Sequence, residues 1–112
     1  MWFRRIVESR YRNEAEIIAD ILRVVKPGAR KTRIMYGANL SFMLAKKYIT
    51  KLSSMDLIRL DSDQKTYQLT EKGKTYLDNY QSYQKIERDL KSALQHRAVE
   101  LDKILHGETD QT

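Results

Sequence analysis

Ile17, Ile18, Ile21, Leu22 and Val25 fall at i, i+1, i+4, i+5 and i+8, one apolar face of a helix. Asn13-Glu14-Ala15-Glu16 ahead of them is a capping-box pattern: Asn13 can accept from the N3 backbone N–H while Glu16 reaches back. Pro27-Gly28 stops the pattern, so the spacing predicts a helix over 14–26. A short second helix is expected over 31–36, broken by Gly37-Ala38-Asn39, with Leu40 as an apolar plug in the turn. Ser41 is a suitable N-cap for a third helix running to about Met55. In it Leu44, Tyr48, Leu52 and Met55 form the expected inward line, with Ile49 beside them. Lys46, Lys47, Thr50 and Lys51 fall mainly away from that line.

The period then changes. Ile58-Arg59-Leu60-Asp61 and Thr66-Tyr67-Gln68-Leu69-Thr70 alternate apolar and polar around the polar stretch Ser62-Asp63-Gln64-Lys65. This predicts a β-hairpin with a short loop. From Glu71 to about His106 there is no proline and a single glycine, Gly73, and Thr70 supplies an N-cap. At 1.5 Å per residue such a helix reaches on the order of 50 Å. Tyr83, Leu90, Leu94 and Leu101 space out as a 3–4 alternation, with Ile86 and Leu105 also apolar. A strict heptad puts Glu87 and Arg97 in the seam, so the expectation is a short, imperfect coiled coil. The tail from Gly107 is polar and expected to be disordered. The first twelve residues mix Trp2, Phe3, Ile6 and Val7 with Arg4, Arg5, Arg10 and Arg12. They suit a helix extension, a packing segment or a basic arm equally.

Charge sharpens this picture. The 112 residues carry 21 Lys+Arg and 15 Asp+Glu, a net of +6. Residues 1–80 hold 16 basic and 9 acidic side chains, a net of +7, whereas residues 81–112 hold 5 and 6, a net of −1. Between Asp20 and Asp56 no acid occurs, and that window contains eight cations: Arg23, Lys26, Arg30, Lys31, Arg33, Lys46, Lys47 and Lys51. Solvated surfaces usually mix their signs. A patch of one sign attracts polyanions, nucleic acid first among them.

Several chemistries are excluded or disfavoured. With no cysteine there is no disulfide scaffold, thiolate nucleophile, iron–sulfur cluster or sulfur-ligated zinc site. His96 and His106 are ten apart, off the spacing of a helical metal pair, and read as solvated or interface residues. Asp61 and Asp63 sit where Asp serves turn chemistry. Tyr76, Tyr80 and Tyr83 recur at helical spacing, which fits packing better than a base-stacking platform. The four glycines are isolated, so no phosphate-cradling loop exists, and nothing forms a nucleophile–base–orienter set. The chain reads as a non-enzyme without cofactor or metal. No apolar run approaches the ~20 residues that cross a bilayer, and the start lacks a signal-peptide order, so a soluble, cytoplasmic protein without a membrane partner is expected.

Helix–turn–helix followed by a two-stranded hairpin is the winged-helix layout. Lys31-Thr32-Arg33-Ile34-Met35-Tyr36-Gly37-Ala38-Asn39-Leu40-Ser41, then Tyr48-Ile49, Leu52, Leu57-Ile58 and Leu69-Thr70-Glu71-Lys72-Gly73, carry a specific resemblance. Over about residues 13–80 the chain closely resembles the small archaeal winged-helix DNA-binding proteins of the ten-kilodalton Sulfolobus chromatin type. The resemblance implies a nucleoid-associated homodimer joined by an antiparallel coiled coil of the last helix. Residues 2–12 are outside the matching pattern, and the last helix matches in kind rather than in residues.

The expected fold is therefore mainly α (α+β): a winged helix-turn-helix with a long C-terminal dimerisation helix. The expected organisation is an extension over 1–12, a winged domain over 13–75, a coiled-coil helix over 76–106 and a tail over 107–112. Double-stranded DNA is the expected partner, for an archaeal regulator or chromatin-associated protein. Candidate contacts are Lys31, Thr32 and Arg33 at the second helix, Ser41, Lys46, Lys47, Thr50 and Lys51 on the third, and Gln64 and Lys65 in the wing. Candidate dimer contacts are Tyr83, Ile86, Leu90, Leu94, Leu101 and Leu105. The third helix has no Arg, Asn or Gln for bidentate base readout, which points to modest sequence specificity. The alternative is a protein-interaction or RNA-binding module that does not touch DNA, because fold alone does not fix function.

Overall fold

A computed structural model describes residues 12–107. The N-terminal extension up to residue 11 and the tail from residue 108 lie outside the described residues. The described elements are α1 (Glu14–Val25), α2 (Lys31–Gly37), α3 (Phe42–Ser54), β1 (Ile58–Asp61), β2 (Thr66–Leu69) and α4 (Glu71–Asp102), with a π-helical turn over Lys103–Gly107. The order and nearly all boundaries follow the hydrophobic pattern. Compact packing divides the chain between Asp78 and Asn79.

Local chemistry sets the ends of these elements. Asn13 accepts from the Glu16 N–H at 2.8 Å and Glu16 accepts from the Asn13 N–H, completing the capping box of α1. Gly28 adopts φ 91°, a left-handed conformation that favours glycine, and turns the chain after α1. Ser41 Oγ accepts from the Leu44 N–H at 3.2 Å and caps α3. Thr70 Oγ1 accepts from the Gly73 N–H at 3.0 Å and donates to the Asp56 carbonyl at 2.6 Å. One hydroxyl thus caps α4 and ties it to the segment that follows α3.

The core of the first unit is built from Ile18, Ile21, Leu22 and Val25 of α1, Ile34 of α2, Ala45, Tyr48, Ile49 and Leu52 of α3, Leu57 and Ile58 leading into the hairpin, and Leu77 of α4. α1 packs on α2 and β2, α2 on α3, and α3 on β1. β1 and β2 pair antiparallel with Ile58 opposite Leu69 and Asp61 opposite Thr66. Ala29 adds a one-residue bridge to the outer edge of β2, exchanging both backbone hydrogen bonds with Tyr67. The wing is therefore stitched to the residues that open α2.

Two inward positions expected from periodicity, Leu44 and Met55, are corrected. Leu44 is 40% exposed because it lies at the edge of the sector buried by Ala45, Tyr48, Ile49 and Leu52. Met55 is half out as well, since it is the C-cap residue, beyond the last packed turn of α3. Leu60 is 50% exposed although it shares a face with buried Ile58. The helices cover the base of the hairpin and not its tip.

In the second unit α4 continues with mixed charge. The Tyr80 and Tyr83 rings stack with centroids 6.5 Å apart. Tyr83, Ile86, Leu90, Leu94, Leu101 and Leu105 are all exposed.

Candidate nucleic-acid interface

The exposed side of α3 is fixed by what its other side buries. With Ala45, Tyr48, Ile49 and Leu52 inward, the opposite face presents Met43, Lys47, Thr50 and Ser54 at i, i+4, i+7 and i+11. Lys46 stands beside that line and is exposed. Neither Lys46 nor Lys47 has an ion-pair partner among the described residues. The Lys47 ammonium lies 6.0 Å from the centroid of the Tyr48 ring, which leaves its charge available.

The structure does not bring all expected residues to this face. Lys51 projects to the flank facing α1, where its Nζ donates to Glu14 Oε1 at 2.7 Å. That hydrogen bond, then the Lys51 charge, holds the Glu14 carboxyl below the usual carboxylate range. The same hydrogen bond holds the Lys51 ammonium above its ordinary value. Burial pushes the Tyr76 phenol up, and the Glu14 charge adds to that shift. Ser41 is exposed, but its hydroxyl already serves the cap of α3.

α2 supplies a second set. Lys31, Thr32 and Arg33 form its exposed first turn, directly after the Ala29 bridge to the wing. The Lys31 ammonium sits 5.5 Å from the centroid of the Phe42 ring. Lys31, Thr32, Met35, Phe42 and Ala45 line a shallow apolar depression of about 110 Å³ between α2 and α3. In the wing, Gln64 and Lys65 are both exposed, and Lys65 takes a left-handed φ of 57° in the turn. The Asp63 N–H donates to Asp61 Oδ1 at 3.1 Å, the turn role expected of these carboxylates.

The helix-turn-helix corner is braced from outside. Arg12 donates to Asp20 at 2.6 Å and to the carbonyl of Asn39, the left-handed residue between α2 and α3. Arg23 also donates to Asp20, at 2.9 Å. Asp20, the acid at the N-terminal border of the cationic window, is thus held between two arginines. Sequence reasoning missed Phe42 and Met43 as surface features. The signal was present: Met43 is four residues before Lys47 and seven before Thr50.

No cluster of three or more His, Asp or Glu among the described residues could hold a metal ion. No described helix is long and apolar enough to cross a membrane.

A family model described as winged helix-turn-helix matches residues 11–88. The chain belongs to the winged helix-turn-helix family. This fold is a DNA-binding fold and not an enzyme fold. The structure is similar to Sso10a-2, a DNA-binding protein from Sulfolobus solfataricus, with a TM-score of 0.68 and 31% identity over 78% of this chain and 94% of that one. The resemblance read from Lys31–Ser41 therefore stands as homology to this archaeal type. The chain is also 42% identical over 64 residues to the uncharacterized protein MJ0287 of Methanocaldococcus jannaschii. That match spans 56% of this chain and 64% of the relative, less than two thirds of its length.

Proposed function

We propose that this winged helix-turn-helix chain binds double-stranded DNA as a homodimer, with α3 in the major groove and the wing against the backbone. The observation that carries the reading is the cationic face of α3, where Lys46 and Lys47 are exposed and neither forms an ion pair among the described residues. A major groove about 12 Å wide admits a helix presenting such a face. Lys31, Thr32 and Arg33 at α2 and Gln64 and Lys65 in the wing lie on the same compact unit and add phosphate contacts. The DNA-binding character of Sso10a-2, which this fold resembles, supports the same partner. Dimerisation is supported by the row of exposed leucines on α4, each of which gains roughly 1.5–3 kcal/mol on full burial. A chromatin-like or nucleoid role fits a face that lacks Arg, Asn and Gln, since phosphate contacts position a protein without reading sequence.

The experiment is a salt titration of binding to two unrelated duplexes. Log K should fall linearly with log salt, by about 0.9 per phosphate neutralised, and nearly alike for both sequences. A folded Lys46→Ala/Lys47→Ala variant that binds like wild type overturns the assignment of α3.

A further inference from the structure

Met43 occupies the middle of the face that Lys47, Thr50 and Ser54 share, yet it is apolar and 72% exposed. It belongs to the first turn of α3, the part of a helix-turn-helix recognition helix that reaches base edges. Phe42, its neighbour, is turned toward α2, where it lines the depression between the helices with the Lys31 ammonium over its ring, so Met43 is the apolar group of this face. We propose that Met43 reads the C5-methyl group of thymine, which gives the protein a preference for A·T pairs under the N-terminus of α3. This inference rests on the duplex-binding reading above.

The major-groove edge offers hydrogen-bond donors and acceptors and a single apolar group, the thymine methyl. The α3 face offers lysine ammoniums, the Thr50 hydroxyl and one central apolar side chain, with no planar bidentate group. The lysines and Thr50 can hydrogen-bond base edges or phosphates alike, whereas the apolar centre of the face matches the methyl group, to whose position the unbranched thioether of Met43 can adjust. The flanking charges select the partner. On a helical wheel Lys46 and Lys47 lie on either side of Met43, so whatever covers Met43 also meets two ammoniums. An apolar protein groove would have to accommodate both, whereas a DNA groove has an apolar methyl on its floor and phosphates on its rims.

The test uses the full chain and two duplexes of the same alternating A·T sequence, one with thymine and one with uracil in its place. Affinity is followed by fluorescence anisotropy at fixed salt. Wild type should bind the uracil duplex about fourfold more weakly for each methyl contacted. Met43→Gln keeps the side-chain length and Met43→Ala removes it, and both should bind the two duplexes equally. Lys46→Ala should weaken both duplexes by the same factor and leave their ratio unchanged. Equal binding of both duplexes by wild type overturns the methyl reading and leaves duplex binding intact. A wild-type preference that survives in both Met43 variants removes Met43 as the reader. Failure to bind either duplex at low salt overturns the duplex reading, and this inference with it.

Discussion

The Lys51 ammonium donates to the Glu14 carboxylate across 2.7 Å, joining the rear flank of α3 to the first turn of α1. A residue that the cationic run groups with Lys46 and Lys47 is thereby turned toward the protein's own scaffold. Two consequences follow, one for DNA and one for pH.

For DNA, the three lysines should separate. Lys46→Ala and Lys47→Ala should each flatten the salt dependence of duplex binding by about 0.9 in slope. Lys51→Ala should flatten it by less, because its charge is already shared with Glu14. Salt titrations of the three single variants on one duplex decide this, and equal slopes would show Lys51 to be as available as the others.

For pH, the two shifts act in one direction near neutrality. Glu14 is held below its ordinary value, so the pair stabilises the fold above the unfolded carboxylate value and loses that contribution as pH falls through the lowered folded one. Lys51 is held above its ordinary value, so its contribution is complete below that value and is lost only at more alkaline pH. Glu14→Gln should lower the melting temperature slightly at pH 7, as befits a surface pair. The difference from wild type should close as pH falls below the lowered Glu14 value, where that carboxyl is protonated in the folded and the unfolded chain alike.

The junction of the wing and α4 should tolerate little change. A Cβ on Gly73 would collide with the backbone carbonyl of Leu57, so Gly73→Ala should destabilise by roughly 1–3 kcal/mol or more. Thr70→Val keeps the shape but removes both hydrogen bonds of the buried hydroxyl, with an expected loss of about 1–3 kcal/mol. Urea denaturation of the two variants measures both.

Assembly is tested on the second unit. Leu90, Leu94, Leu101 and Leu105 are exposed along α4, and a second chain would cover them. Sedimentation should find wild type as a dimer and Leu94→Asp as a monomer. The variant should bind DNA more weakly through loss of the second site's effective concentration, with each winged unit still folded. A Leu94→Asp protein that remains dimeric would move the interface elsewhere.

Much of this architecture is local and was legible in the chain. Asn13 and Glu16, Pro27-Gly28, Ser41 and Thr70 act through hydrogen bonds or backbone angles a few residues away, so the sequence names the ends of α1, α3 and the start of α4 directly. The Lys31–Ser41 string likewise points to the family without reference to a fold. Periodicity states which residues share a face but not which faces another element will cover. Burial of Ile58 and exposure of Leu60 on one face of β1 depend on how far the helices reach along the hairpin. The Ala29–Tyr67 bridge joins residues 38 positions apart and carries no periodic signal. Lys51 and Glu14 meet across 37 positions, because packing of the winged unit brings the first turn of α1 beside α3. The tertiary structure thus decided which cations of the acid-free window remain available, and it left Met43 uncovered at their centre.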